Sequence, residues 1–119
     1  MQKILIAEDE KPIAGALENK LTHEGYEAKV VGNGQEALDE LKANQYDLLL
    51  LDLMMPVMDG YVVLEEIKKQ NIPVSVMVLS NLGQEEEIQK AKALGAKDFL
   101  VKANTPIMDI IDKIKASLD

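Results

Sequence analysis

Short apolar runs alternate with helix-like segments along the whole chain. The runs predict five strands, at residues 2–7, 27–31, 47–51, 74–79 and 97–101. Between them, apolar residues recur every three or four positions, as in Ile13, Leu17 and Leu21, which is the spacing of an amphipathic helix. This pattern predicts five strand–helix pairs.

Turn-forming residues mark the ends of several predicted elements. Gly25 and Gly95 stand where the first and fourth helices should end, because glycine adopts the left-handed conformation common after a helix. The last helix is predicted over residues 105–118, with Thr105 as its cap and Pro106 in its first turn.

Strict alternation of strands and helices predicts a parallel sheet with right-handed crossovers and helices on both faces. Five strands favour a flavodoxin-like fold over a six-stranded dinucleotide-binding fold. We therefore expect an α/β protein with a doubly wound (βα)5 sheet, strand order 2-1-3-4-5, and three αβα layers. The length of 119 residues predicts one domain, over residues 1–119.

Composition excludes several classes of protein. The chain has no cysteine and one histidine, so neither a disulfide framework nor a thiolate or histidine-rich metal site is expected. The net charge is −8, and all 13 basic residues are lysines, which argues against direct binding of nucleic acid. No apolar stretch approaches the roughly 20 residues of a membrane span. We expect a cytoplasmic protein that does not associate with membranes.

Polar side chains follow four of the predicted strands. Glu8-Asp9-Glu10 follow the first, Asp52 follows the four leucines of the third, Ser80-Asn81 follow the fourth, and Lys102 follows the fifth. Parallel strands deliver their carboxyl ends to one edge of the sheet, where ligands collect. By itself, Asp52 could be a metal ligand, a nucleophile or a helix cap.

Convergence of these side chains predicts phosphoryl-transfer chemistry. Carboxylates held close together repel each other unless a cation binds or one of them is protonated. Mg²⁺ prefers oxygen ligands. A carboxylate nucleophile, a metal, the ammonium of Lys102 and the hydroxyl of Ser80 are together the groups that such a transfer requires.

The sequence resembles the receiver domain of two-component response regulators over its whole length. The most specific match is Asp-Leu-Met-Met-Pro-Val-Met-Asp-Gly, which begins at Asp52. Glu8-Asp9, Ser80 and the run Asp-Phe-Leu-Val-Lys ending at Lys102 occupy the other positions typical of this CheY-like family.

The resemblance implies that Asp52 is the phosphoacceptor for a sensor histidine kinase or a histidine phosphotransfer protein. It also implies a Mg²⁺ cofactor. The metal would be bound by Asp9 and Asp52, by the backbone carbonyl of Met54, and by Glu8 through water.

The same resemblance assigns a switch to the site. Ser80 and Lys102 would bind phosphate oxygens, and the aromatic ring of Phe99 would turn inward as Ser80 moves toward the phosphate. The face formed by the fourth helix, fifth strand and fifth helix would then change its protein partners.

Three features depart from the common family pattern. Ala103 stands where proline usually follows the lysine, so we expect a trans Lys102–Ala103 bond, or else a cis bond held by strain in the site. Asn81 is larger than the usual residue and could narrow access for a partner. The lack of arginine disfavours one common dimer mode, leaving a monomer or a weak, phosphorylation-dependent dimer.

Two other functions compete with the signalling module. One is a pseudo-receiver that binds partners without being phosphorylated, although Asp52 and the acidic pair are all retained. The other is a Mg²⁺-dependent phosphohydrolase, which commonly carries a second aspartate where this chain has Met54. We therefore expect self-phosphorylation and self-dephosphorylation rather than turnover of an external substrate. An output domain that binds DNA is not expected within this length.

Overall fold

A five-stranded parallel sheet forms the centre of the computed structural model, which describes residues 2–119. Its strands are β1 (Lys3–Ala7), β2 (Glu27–Val31), β3 (Leu48–Leu51), β4 (Ser75–Ser80) and β5 (Asp98–Val101), in the order β2-β1-β3-β4-β5. Five α-helices connect or follow them: α1 (Lys11–His23), α2 (Gly34–Ala43), α3 (Gly60–Lys69), α4 (Glu85–Ala93) and α5 (Ile107–Leu118). The predicted fold and strand order are confirmed.

Alternation along the strands divides the core between two faces of the sheet. Ile4 and Ile6 of β1 pack with α1 and α5, whereas Leu5 and Ala7 pack with α2, α3 and α4. All four leucines of β3 are buried because helices cover both sides of this central strand. Each cluster fills the space between the sheet and the helices on one of its faces, so the domain has three layers: helices, sheet and helices.

The predicted turn residues lie at the helix ends, except at the start of the last helix. Gly25 and Gly95 have φ values of 96° and 109°, and they follow α1 and α4 as expected. The predicted start of the last helix is wrong by two residues, since α5 begins at Ile107 and Pro106 is its N-cap residue. Thr105 does not cap it, because the Thr105 hydroxyl donates instead to the carbonyl of Val101 at 2.8 Å.

A short 3-10 helix, Lys102–Asn104, follows β5. The Lys102–Ala103 bond is trans, as are the other peptide bonds of the described residues. This is the first of the two expected outcomes for this bond. Among residues 2–119, no helix has the length and apolar character needed to cross a bilayer.

A polar network joins α2 to the loop before β3. The Tyr46 hydroxyl donates to Glu40 Oε1 at 2.8 Å, and Lys29 Nζ lies 3.1 Å from Glu40 Oε2. These contacts lower the pKa of Glu40, with the tyrosine hydrogen bond as the largest cause. Tyr46 itself is buried, so its ring anchors this corner of the core.

We expect Tyr46→Phe to destabilise the protein by about 1 kcal/mol at neutral pH, because a hydrogen bond to a carboxylate is lost in a partly solvated position. A carboxyl with a lowered folded-state pKa stabilises the fold above its unfolded pKa, and that contribution disappears as the pH falls through the folded pKa. The difference from wild type should therefore be constant above about pH 4.5 and shrink as the pH falls below it. Urea denaturation measures it.

Glu40→Gln and the double variant complete a thermodynamic cycle. A coupling energy of zero at neutral pH, or a Tyr46→Phe effect that does not change with pH, would contradict the assigned hydrogen bond.

Candidate functional site

Asp52 lies at the end of β3 and is buried, with 4% of its surface exposed. Its backbone N–H donates to the carbonyl of Ala7 at 3.0 Å, which continues the β1–β3 ladder by one residue. Its Oδ1 atom accepts a hydrogen bond from the backbone N–H of Met54 at 3.1 Å. The carboxylate is thus oriented by the loop that follows it, and does not cap a helix through this contact.

Glu8 lies beside it at the end of β1. Its N–H donates to the carbonyl of Val31 at 3.0 Å, and its Oε2 atom accepts from the N–H of Glu10 at 3.0 Å. Only 3% of Glu8 is exposed. Two carboxylates are therefore held away from solvent at neighbouring strand ends.

The ammonium of Lys102 joins these carboxylates. Its Nζ atom is 3.0 Å from Asp52 Oδ2, with hydrogen-bond geometry, and 2.7 Å from Glu8 Oε1. The lysine comes from the 3-10 helix after β5, so the loop with Ala103 in place of proline still brings the ammonium to the site. Only 7% of its side chain is exposed.

Burial and charge act against each other in this group. Burial raises the pKa of Glu8 to about 7, and the Asp52 charge adds to this effect, while Lys102 and the N–H of Glu10 oppose it. For Lys102, burial alone would lower the pKa, but the close contacts of its ammonium with the carboxylates of Glu8 and Asp52 outweigh burial and the pKa is raised. The lysine is therefore charged, and negative charge on Glu8 is poorly compensated.

Glu8, Asp9 and Asp52 together fit a divalent cation. One carboxylate oxygen from each lies within 4.8 Å of the others, and Asp9 is exposed whereas its two partners are buried. The buried Glu8 Oε1 atom has an ion-pair distance to Lys102 but no hydrogen bond of suitable angle among the described residues. An all-oxygen donor set with excess negative charge matches the preference of Mg²⁺.

Ser80 and Phe99 lie on the two strands next to this group. Ser80 ends β4 and is fully buried, and its Oγ atom accepts a long hydrogen bond of 3.3 Å from the N–H of Leu82. Phe99 pairs with Val78 in the β4–β5 register. Its side chain is half-buried and packs against the core cluster that lies under α2, α3 and α4. Because α4 begins only at Glu85, Ser80 is not a helix cap.

Asn81 is exposed in the loop after Ser80. Asp59 has a structural role: it caps α3 by accepting a hydrogen bond from the N–H of Val62 at 3.0 Å.

Sequence reasoning missed one contact at this site. Glu10 Oε2 lies 3.6 Å from Lys102 Nζ, so a third carboxylate shares the lysine. Its place after Glu8-Asp9 was the available signal. An acidic residue there is also explained by favourable interaction with the start of α1, and only the position of Lys102 distinguishes the two explanations.

A model of the response regulator receiver domain matches residues 4–115. The chain belongs to this family.

Individual relatives agree with this membership. The chain is 35% identical to the transcriptional regulatory protein PcoR of Escherichia coli, over 86% of this chain and 45% of that protein. It is 36% identical to the probable transcriptional regulator ycf27 of Pyropia yezoensis, over 98% of this chain and 51% of that protein. The chain thus spans about half the length of these curated relatives.

Solved structures show the same fold. The receiver domain of the Francisella response regulator 1452 superimposes with a TM-score of 0.93 at 33% identity, over 99% of this chain and 97% of that one. The response regulator TrrA of Thermotoga maritima, solved in complex with Mg²⁺ and BeF, gives 0.86 at 31% identity, over 99% and 100%.

We expect the stability of this receiver domain, measured without divalent cations, to fall as the pH rises from about 4.5 to about 7. The folded state binds a proton on Glu8 in this interval and the unfolded state does not, so unfolding becomes easier as the pH rises. Glu8→Gln should remove up to about 3 kcal/mol of this dependence. Urea denaturation in EDTA measures it.

Adding Mg²⁺ should restore wild-type stability at high pH, because a ligand that binds only the folded state stabilises it. Identical pH profiles for wild type and Glu8→Gln would rule out this source of instability.

A further prediction concerns Gly60, the first residue of α3. A Cβ atom here would lie 2.5 Å from the backbone oxygen of Asp52 and 2.8 Å from the Cα of Leu53. Since backbone atoms cannot move aside without displacing Asp52, Gly60→Ala should destabilise the domain by about 2 kcal/mol or more and shift the amide resonance of Asp52.

Gly15→Ala is the matched control. This glycine lies inside α1, and apart from its neighbours in the same helix no atom lies within 4 Å of the added methyl, so alanine should be neutral or stabilise by up to about 1 kcal/mol. Equal effects of the two substitutions would contradict the close approach at Gly60.

Proposed function

We propose that this receiver domain accepts a phosphoryl group on Asp52 from a sensor histidine kinase or a histidine phosphotransfer protein. The proposal rests on the contacts made by the two carboxylate oxygens of Asp52. One oxygen is oriented by the N–H of Met54 and the other by the ammonium of Lys102, inside an acidic cluster that fits a divalent cation. Family membership supports the same function.

In this reaction an oxygen of Asp52 attacks the phosphorus atom of the donor phosphohistidine. The new O–P bond forms as the P–N bond breaks, and the leaving imidazole takes a proton from solvent. Lys102 stays charged and can follow the transferred oxygens, since its ammonium already contacts the nucleophile. Ser80 supplies a hydroxyl at the neighbouring strand end for another phosphoryl oxygen.

Glu8, Asp9 and Asp52, with the backbone carbonyl of Met54, would hold Mg²⁺. When bound, the ion supplies positive charge against the phosphoryl oxygens and against the crowded carboxylates. The Mg²⁺–BeF complex of TrrA, a relative with the same fold, supports this assignment.

Phosphorylation of Asp52 would change the conformation of the domain through Ser80 and Phe99. A new hydrogen bond from the Ser80 hydroxyl would draw the β4–α4 loop toward the phosphate, and the half-buried Phe99 ring would move into the space released. The α4-β5-α5 face would then change its affinity for a downstream protein. We expect this action from a monomer or a weak phosphorylation-dependent dimer, without direct contact to nucleic acid.

The domain would act as a signalling module and not as a turnover enzyme. Its phosphorylation and dephosphorylation would both take place on its own aspartate. Met54, at the position where related phosphohydrolases carry a second carboxylate, offers no acid or base for an external substrate.

Incubation with acetyl phosphate and Mg²⁺ tests the proposal directly. We expect intact mass spectrometry to show the gain of one phosphoryl group in wild type and no gain in Asp52→Asn, because the amide cannot act as the nucleophile. Phosphotransfer from a panel of phosphorylated histidine kinases should then identify the partner.

Asp59→Asn serves as a control, since Asp59 is an exposed helix cap in the same motif and should still allow phosphorylation of Asp52. A folded wild-type protein that gains no mass would favour the pseudo-receiver instead.

A further inference from the structure

Glu10 stands at the solvent side of the proposed phosphorylation site. Half of its side chain is exposed, and its Oε2 atom lies 3.6 Å from the Nζ atom of Lys102. It is outside the carboxylate group that fits a cation, which consists of Glu8, Asp9 and Asp52. Its charge therefore faces both the solvent and the lysine that would receive the phosphoryl oxygens.

No capping hydrogen bond ties the side chain of Glu10 to the start of α1. Glu10 is nevertheless the N-cap residue of this helix. Serine, threonine, aspartate and asparagine are the residues that cap helices well, so glutamate is a poor choice for that purpose. Its backbone N–H donates to Glu8 Oε2, which fixes where the side chain starts.

We propose that Glu10 determines which phosphodonors can react, by repelling small anionic donors and by sharing Lys102 until a donor displaces it. The inference rests on the proposed function of Asp52. A free acyl phosphate must bring its negative charge past Glu10 without compensation. A donor protein can place a cation of its own beside Glu10, so the same charge favours protein donors.

Coulomb's law sets the size of the effect. Glu10 Oε2 and Asp52 Oδ2 both contact Lys102 Nζ, at 3.6 and 3.0 Å, so they are close neighbours across one ammonium group. A unit charge at roughly 7 Å in water-like surroundings changes a rate by about three-fold, and a double charge by about ten-fold. Salt weakens such interactions once the charges are further apart than the Debye length, which is roughly 10 Å or less, depending on the salt concentration.

The test compares two small donors on Glu10→Gln. With acetyl phosphate, a dianion, and with Mg²⁺ at a saturating concentration for both proteins, the variant should be phosphorylated about ten-fold faster than wild type at low salt. With phosphoramidate, which carries one net negative charge at neutral pH, the gain should be about three-fold. Both gains should shrink as salt is raised, because the effect is electrostatic.

Two variants separate charge from structure. Glu10→Asp keeps the charge and should retain the slow wild-type rate with acetyl phosphate, whereas Glu65→Gln removes an exposed carboxylate of α3 and should leave the rate unchanged. Equal gains for the two donors, a gain that salt does not affect, or a wild-type rate in Glu10→Gln would overturn the proposal.

Calorimetric titration with Mg²⁺ gives a readout that needs no phosphorylation. Removing the charge of Glu10 should weaken Mg²⁺ binding by up to roughly ten-fold, the same size as its effect on a dianionic donor and opposite in direction. If wild type is not phosphorylated at all, the proposed function of Asp52 fails, and an unchanged Mg²⁺ affinity in Glu10→Gln would then independently reject the role of Glu10.

Discussion

The site depends on one ammonium group that is shared between carboxylates. Lys102 contacts Glu8 and Asp52, both almost fully buried, and reaches Glu10 at the surface. Without this cation the two buried carboxylates would repel each other in a region with little solvent to screen them. Even with it, the pKa of Glu8 is raised, which means that one lysine does not balance the group. The remaining negative charge is what makes the site suitable for a divalent cation.

The parallel sheet is the reason that these groups meet. Glu8 follows β1, Asp52 follows β3 and Lys102 follows β5, so residues far apart in sequence reach one edge because all strands point the same way. Central strand β3 is buried on both faces, which holds the start of the Asp52 loop firmly. The neighbouring Gly60 lets α3 approach the backbone of Asp52 closely. Precision at the site therefore comes from backbone packing as much as from ion pairs.

Much of this arrangement could be predicted from the sequence, because it depends on periodicity and strand order. The apolar runs located all five strands within a residue or so, and the strand-end rule brought Glu8, Asp52 and Lys102 together. Details that depend on side-chain competition could not be predicted. Thr105 was expected to cap α5, but its hydroxyl bonds the carbonyl of Val101 instead. The contact of Glu10 with Lys102 could not be predicted either, because it depends on where the side chain of Lys102 lies.

The division of the core by the sheet has a consequence for how the domain tolerates change. Apolar side chains of α1 and α5 contact one set of strand positions, and those of α2, α3 and α4 contact the alternate set. Helices on opposite faces are separated by the sheet, with layers about 10 Å apart. Helix substitutions that lie more than about 10 Å apart on opposite faces, with no shared contacts, should therefore combine additively. The outer surface of α5 can therefore change without repacking α2 and α3, because these helices pack against the opposite face of the sheet.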